Sequence, residues 1–96
     1  MMEIELSDIV TSVNGRDKGK CFFVIDMADN FVYLCDGKTR RLEKPKRKKL
    51  KHVRIETKSG CRAAEKIRSR QKVTNSDLRR ALAEHLANQL GDEGGM

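Results

Sequence analysis

The residues with the clearest chemical potential are lysines and arginines concentrated in one stretch of this 96-residue chain. Residues 38–58 contain eleven basic and two acidic residues, a local charge of +9, whereas the whole chain carries +7. Residues 1–37 contain three basic and seven acidic residues. Positive charge focused in this way attracts polyanions and raises their local concentration. The pattern predicts nucleic-acid binding, and the alternative is a solvated, partly disordered block of like charges.

A second group of basic residues lies in a turn bounded by glycines. Gly15 and Gly19 enclose a charged stretch that leads into an apolar segment, which is typical of a tight turn entering a β-strand. The stretch is similar to a phosphate-binding loop, but it is one residue short of the Walker spacing, and a cysteine replaces the hydroxyl residue. We therefore expect the turn to present Arg16, Lys18 and Lys20 to the phosphates of a polymer.

The other chemistry-bearing residues do not form a catalytic or metal-binding set. No nucleophile, base and orienting group occur together. Four aspartates lie in or beside turns, where aspartate makes local hydrogen bonds: Asp17, Asp26, Asp29 and Asp36. Three cysteines without Cys-x-x-Cys spacing suit a reducing compartment, and the two histidines complete no zinc-finger pattern. We expect no enzyme activity, metal, cofactor or small-molecule substrate. Cys21 and Cys35 lie in apolar runs and are predicted to be small core residues.

Membrane and export features are missing from the sequence. No segment approaches the roughly 20 apolar residues of a membrane span. The first residues lack the basic start and apolar stretch of a signal peptide. We expect a cytoplasmic protein with no membrane partner.

Short strands joined by tight turns must position the basic residues. Asn14-Gly15 and Asp36-Gly37 are strong turn sequences, and Pro45 places residues 43–49 in a loop because proline cannot donate to a strand ladder. Five short strands cannot close a large sandwich, so a mainly β fold, a small and partly open barrel, is expected. The predicted strands are residues 10–13, 21–27, 31–35, 38–42 and 52–56.

Two aromatic residues alternate on the third predicted strand and therefore point the same way. With four aromatic residues in the chain, a core position is favoured for Phe31 and Tyr33. If that face is outward, they form a small platform for stacking bases. Tyr33 is then the better candidate, because its hydroxyl tolerates a wet surface. His52 lies next to the basic stretch and is a candidate for contact with a base or a phosphate.

The last third of the chain is predicted to be helical. The barrel occupies residues 1–58, and a basic linker with a weak helix over residues 63–70 follows at 59–74. A helix is predicted over residues 75–91, capped either by Thr74 with Asp77 or by the Asn75-Ser76 pair. It ends at Gly91, before a flexible tail at 92–96. Its apolar stripe should pack on the barrel, or else form a partner or self-association surface. The stripe consists of Leu78, Leu82, Leu86 and Leu90.

Residues 8–20, the apolar strand after them and residues 32–38 together resemble the KOW motif. The run from Asp36-Gly37-Lys38 through Pro45-Lys46-Arg47-Lys48-Lys49 to His52 resembles a group of small bacterial KOW-domain RNA-binding proteins. These are related to archaeal and eukaryotic large-subunit ribosomal proteins that carry the motif. The resemblance covers residues 7–57, and residues 74–82 are similar to the start of the family's C-terminal helix. It implies an SH3-like barrel and contact with RNA, which is ribosomal RNA in the ribosomal relatives.

The prediction is therefore non-catalytic RNA binding, associated with ribosomal RNA, the ribosome or other translation proteins. The basic turn and a flexible basic loop at residues 44–51, which would order on the polyanion, are expected to contact phosphates. The choice of RNA over DNA depends mainly on the resemblance. A protein-interaction module of the transcription or translation machinery is the alternative, and DNA compaction is a third hypothesis. The predicted RNA-binding residues are Arg16, Lys18, Lys20, Lys38, Arg40, Arg41, Lys44, Lys46, Arg47, Lys48, Lys49, Lys51 and His52, with Tyr33 as a possible stacking residue.

Overall fold

Five strands and two α-helices follow one another along the chain. The computed structural model describes residues 3–58 and 60–94, with side chains described up to residue 88. A short 3-10 helix, Leu50–His52, connects the fourth and fifth strands. The elements are β1 (Ile9–Ser12), β2 (Cys21–Ala28), β3 (Phe31–Cys35), β4 (Lys46–Lys49), β5 (Val53–Thr57), α1 (Arg62–Arg68) and α2 (Asn75–Gly94).

The strands form one antiparallel sheet in the order β4-β3-β2-β1-β5, with β4 and β5 at its edges. Four of the five strands lie within two residues of their predicted positions, and Phe31–Cys35 matches at both ends. A β-rich fold of five short strands with a C-terminal helix is thus confirmed. The arrangement is a small, open five-stranded sheet with two helices packed on it.

Both faces of the sheet are apolar along β1 and β2, because neighbouring strand residues point to opposite faces. One face contributes a buried cluster from all the strands except β4: Val10, Phe22, Val24, Val32, Leu34 and Val53. The other face is covered by the helices, where Ile9, Phe23 and Cys35 contact Ala64, Ile67, Leu78 and Leu82. This double burial explains why the start of β2 is a continuous apolar run. The predicted core position of Cys35 is confirmed.

The predicted strand at residues 38–42 is wrong. The Asp36 carboxylate accepts hydrogen bonds from the backbone N–H groups of Lys38 (2.9 Å) and Arg40 (2.8 Å). The Leu42 N–H donates to the side-chain oxygen of Asn75 at 2.7 Å. Because side chains take the donors that a ladder would need, the segment between β3 and β4 is a loop.

The predicted basic loop is also wrong, since its centre is the edge strand β4. Lys48 pairs with Val32 and Lys49 pairs with Phe31 in the β3–β4 ladder. Pro45 precedes the strand, so the ladder loses no donor. Lysine-rich sequences are common on edge strands, where charge discourages pairing with other chains. Residues 46–49 are therefore a strand paired with β3.

The segment predicted as a basic linker contains α1, which is part of the fold. Ala63, Ala64 and Ile67 are buried against the sheet and α2. The helix agrees with the weak one expected at residues 63–70. The segment does not act as a spacer, because its apolar residues complete the core on the helical side.

Helix α2 starts where it was predicted to start. The Asp77 N–H donates to Thr74 Oγ1 (3.1 Å), and the Thr74 N–H donates to Asp77 Oδ2 (3.0 Å), so the capping box is formed. Leu78 and Leu82 are buried on the sheet, which confirms packing of the stripe, whereas Leu86 is 46% exposed.

The C-terminal end of α2 differs from the prediction. The helix continues through Gly91 to Gly94, because glycine permits a left-handed stop without imposing one. The side chain of Leu90 and the last two residues of the predicted tail lie outside the described residues. No helix within the described ranges has both the length and the hydrophobicity to cross a membrane.

Candidate nucleic-acid interface

The basic turn, residues 13–20, is held as a rigid loop between β1 and β2. The Gly19 N–H donates to the Ser12 carbonyl (2.8 Å), and the Ser12 N–H donates to the Lys20 carbonyl (3.0 Å). Gly15 and Gly19 have φ angles of +86° and +90°, so both predicted glycine positions need the left-handed conformation. Arg16, Lys18 and Lys20 are exposed on this turn.

A buried ion pair joins the turn to β4. The Lys48 Nζ donates to Asp17 Oδ1 at 2.5 Å and to the Asn14 carbonyl at 2.6 Å. The side chains of Lys48 and Asp17 are only 9% and 13% exposed. Lys48 points inward because it pairs with the buried Val32, on the core face of the sheet. Lys48 therefore reaches across the end of the core to the turn.

The charge of Asp17 is stabilised in this position. Burial alone would raise the pKa of its carboxyl, but hydrogen bonds from Lys48 and from the Ser12 hydroxyl (2.8 Å) outweigh burial and lower the pKa. The Asp17 carboxylate consequently stays charged at neutral pH. Lys48, which was predicted to bind phosphate, instead neutralises Asp17, and its burial leaves no room for a phosphate contact.

The ion pair brings together two basic segments that are about thirty residues apart in the sequence. With Asp17 turned inward, the exposed charged side chains of the turn, Arg16, Lys18 and Lys20, are all basic. On β4, Arg47 and Lys49 are exposed. Lys46 and His52 are half-buried, and the remaining predicted residues of this region, Lys44 and Lys51, are exposed.

The outer side of β3 and β4 carries aromatic and basic side chains together. Phe31 and Tyr33 are half-buried on the face opposite the fully buried Val32 and Leu34. The guanidinium of Arg47 lies 4.7 Å from the centre of the Phe31 ring. The prediction of a core position for both aromatics is wrong, because the β3 alternation gives the core to the intervening residues.

No protein-family model and no curated protein matches this sequence. The function must therefore be inferred from the side chains that the fold brings together.

The loop between β3 and β4 adds a third basic segment. Burial would raise the pKa of Asp36, but the hydrogen bonds from Arg40, Thr39 and Lys38 lower it, so this carboxylate is also charged. The Asp36 carboxylate accepts its hydrogen bonds from within the loop. The side chain of Lys38 is exposed. Lys38 lines an open groove together with Lys20 of the basic turn. Arg40 is half-buried, and Arg41 forms an exposed ion pair with Glu43 at 3.2 Å.

Sequence reasoning missed two residues that organise this surface. Asp17 was interpreted as a local turn residue, although it is the only acid between two glycines that otherwise enclose basic residues. Arg79 donates to the Gly37 carbonyl at 2.7 Å and connects α2 to the loop. Nothing in the local pattern around Arg79 indicates that contact, because its partner is 42 residues away.

Other titratable groups lie apart from the basic surface or are used structurally. Lys58 is paired with Glu5 and Asp8, each at 3.0 Å. Burial and the nearby acids Asp36 and Glu43 raise the pKa of the Cys35 thiol to about 12, so this cysteine is not a nucleophile. Within residues 3–58 and 60–94, no group of three or more His, Cys, Asp or Glu residues could hold a metal ion.

Proposed function

We propose that this chain is a cytoplasmic, non-catalytic RNA-binding protein of the KOW type, acting on ribosomal RNA or elsewhere in translation. The observation that carries the proposal is the Lys48–Asp17 pair. It turns the one acid of the basic turn inward and fixes the turn beside the basic edge strand. Basic side chains from two separate segments then form one surface for a polyanion.

The proposed fold type is an SH3-like barrel, and contacts at both edges of the sheet support it. Val53 of β5 shares a buried cluster with Val32 and Leu34 of β3. Lys48 of the opposite edge strand reaches the turn that follows β1. Contacts of this kind require a strongly curled sheet, as expected for a small barrel.

In the proposed mechanism, the surface exchanges condensed cations on the RNA for lysine and arginine side chains. Release of these counterions supplies much of the binding free energy, and the 2′-hydroxyls and shape of the RNA add selectivity. The pairing of β4 with β3 supports a surface that is already formed when RNA binds. Binding then costs less conformational entropy than binding through a disordered arm would cost.

We expect RNA affinity to depend steeply on salt. If about six phosphates are contacted, the slope of log K against log salt should be about −4 to −5. Replacing the exposed Lys44, Lys49 and Lys51 by glutamine should make the slope shallower by about 2 to 3, because each contact contributes about 0.7 to 0.9. Fluorescence anisotropy with labelled ribosomal RNA fragments, titrated at several salt concentrations, measures both slopes.

The matched control removes the same charge from the helical part of the protein. Arg62, Lys72 and Arg80 are exposed there, and their triple glutamine variant should keep the wild-type slope. A wild-type slope near −1, or equal losses in the two triple variants, would contradict the proposed surface. Equal affinity for duplex DNA and structured RNA would favour DNA compaction instead.

Crosslinking in cells, followed by sequencing of the attached RNA, tests the ribosomal assignment. We expect one discrete region of ribosomal RNA, crosslinked through residues 16–20 or 44–52. If no RNA is enriched and a stably bound protein is recovered instead, a protein-interaction module would be favoured.

One observation supports that second candidate. The groove lined by Lys20 and Lys38 has an apolar side formed by Leu82, Ala83 and Leu86 of α2. Because only Leu86 of these leucines is substantially exposed, the apolar area is small. Binding of a protein partner in this groove should be unaffected when Lys44, Lys49 and Lys51 are replaced by glutamine, a change that weakens RNA binding.

A further inference from the structure

The helices leave part of the outer sheet face uncovered. They pack on Ile9, Phe23 and Cys35, near one end of the sheet. Farther along the same face, Phe31 and Tyr33 of β3 are half-buried and neighbour exposed basic residues of β4. We call the surface formed by Asp26, Phe31, Tyr33, Arg47 and Lys49 the outer platform.

The register of the sheet orders these side chains in rows. Tyr33 pairs with Asp26 on one side and with Arg47 on the other, and Phe31 pairs with Lys49. Directly paired side chains in antiparallel strands lie within contact distance. Tyr33 therefore lies between an acidic side chain of β2 and a basic side chain of β4, and Phe31 lies beside a basic side chain of β4.

Arg47 adds a third planar group to the rings. Its guanidinium stands over the Phe31 ring at 4.7 Å and makes no ion pair among the described residues. A guanidinium supported in this way has a second planar surface facing away from the ring. Nucleic-acid bases stack on such planes as well as on aromatic rings.

From this arrangement we infer that the outer platform binds unpaired nucleotides, with bases stacked on Tyr33 and on the Arg47 guanidinium. This inference rests on the proposed RNA-binding function and specifies its substrate class as single-stranded or looped RNA. A base in a duplex cannot stack on a side chain, because its two faces are covered by neighbouring bases.

The charges favour one side of the platform for the phosphates of the RNA. Arg47 and Lys49 lie on the β4 side, whereas Asp26 lies on the β2 side and is exposed. Phosphates are attracted to the β4 side and repelled by Asp26. Lys49 also shares an open hollow with Lys51, Phe31 and Asn30, which continues the basic side past the end of the platform.

The intrinsic fluorescence of the protein provides a direct test. Tyr33 is the only tyrosine, and the chain contains no tryptophan, so the intrinsic tyrosine emission comes from the platform alone. We would titrate the full chain with a 12-nucleotide oligouridine RNA and with a 12-base-pair RNA duplex. The single strand should quench the tyrosine at least about twofold at saturation, whereas the duplex should leave it nearly unchanged.

Variants of Tyr33 separate stacking from simple attraction. Tyr33→Leu keeps apolar bulk without the ring and should weaken single-strand binding about 5- to 150-fold, the range expected for one stacked base. Tyr33→Phe should bind like the wild type. Arg47→Lys keeps the charge but loses the plane, so it should weaken single-strand binding more than duplex binding. Circular dichroism and urea midpoints establish that each variant is folded.

The outcomes distinguish this inference from the function on which it depends. If the single strand and the duplex bind equally and neither quenches Tyr33, the platform assignment is wrong, while RNA binding stands. If neither RNA binds, both proposals are wrong. The quenching measurement uses the unmodified protein, so it is decisive even if a Tyr33 variant fails to fold.

Discussion

Replacing Gly37 by alanine should destabilise the protein by about 3 kcal/mol, through strain at a positive φ and overpacking of a filled site. Gly37 has a φ of +78°. A Cβ at this position would collide with the carbonyl oxygen of Asn75 and lie 3.2 Å from Cγ of Arg79. The Asn75 carbonyl belongs to the first residue of α2, so the backbone cannot yield without moving the helix.

Gly19 provides the matched control for this substitution. Its φ is +90°, but a Cβ there would meet no atom within 4 Å. Gly19→Ala should therefore show only the backbone strain, about 1 kcal/mol. Urea unfolding of both variants at pH 7 measures the difference. Equal midpoints for the two variants would mean that the contact between the loop and α2 contributes nothing to stability.

The stability that Gly37→Ala loses should be lost mainly in one part of the protein, the start of α2. Leu42 and Glu43 hydrogen-bond the Asn75 side chain at 2.7 and 2.6 Å, and Arg79 bonds the Gly37 carbonyl. All these contacts hold the start of α2 on the β3–β4 loop. Hydrogen exchange in Gly37→Ala should accelerate in α2 before it does in β2, because β2 is paired on both sides by other strands.

The same loop shows where sequence reasoning succeeds and where it stops. Asp36-Gly37 correctly indicated a turn, in which Gly37 has a positive φ. The turn was expected to lead straight into a returning strand. Instead Asp36 and Asn75 satisfy the backbone of the following residues. One of these partners is local, but Asn75 comes from 33 residues later in the chain, and no local pattern could indicate it.

The basic stretch illustrates a second limit. A run of four charged residues has no hydrophobic alternation, so its sequence gives neither its strand character nor which side chains point inward. Only the ladder with β3 fixes Lys48 on the core face and Lys49 on the outer face. The apolar runs of β2 and β3, in contrast, were predictable because burial of most of their side chains requires apolar residues.

Substituting Lys48 by methionine should cost about 3 kcal/mol, the lower end of the range for breaking a buried ion pair, because the pair lies at the margin of the core. Asp17 would keep its charge with the Ser12 hydroxyl as its remaining side-chain donor to Oδ1. Asp17 Oδ2 is buried and has no hydrogen-bond partner among the described residues, so no second donor is in place. Urea unfolding at pH 7 measures the loss.

Lys49→Met is the matched control, since it removes the same charge from the next residue of the same strand. Lys49 is exposed, so the free energy of unfolding should stay within about 0.5 kcal/mol of the wild type. Its RNA affinity should fall, and the salt slope should become shallower by about 0.7 to 0.9. Equal stability losses in the two variants would contradict the inward position of Lys48.

Adding Asp17→Asn to Lys48→Met should restore about 2 kcal/mol, because the double variant buries no unpaired charge. Asp17→Asn alone should destabilise, since it leaves the Lys48 ammonium buried without its carboxylate. The double-mutant cycle gives the coupling energy of the pair. A coupling energy near zero would mean that the two side chains are independently solvated and that the turn is held by its backbone bonds alone.

The stability difference between the wild type and Lys48→Met should depend on pH. Asp17 has a lowered pKa in the folded wild type. Its contribution to folding stability is therefore present above the pKa of the unfolded chain, about 3.9, and is lost as pH falls through the pKa of the folded state. Without Lys48, burial raises the pKa of Asp17, and the variant gains relative stability when this carboxyl is protonated. The difference in the free energy of unfolding should therefore have its full value at pH 7 and become smaller below about pH 4. The lowered pKa values of Asp36 and Asp77 affect both proteins alike and cancel in the difference. A difference that stays constant from pH 7 to pH 3 would show that Lys48 stabilises the fold by packing its aliphatic chain and not through its charge.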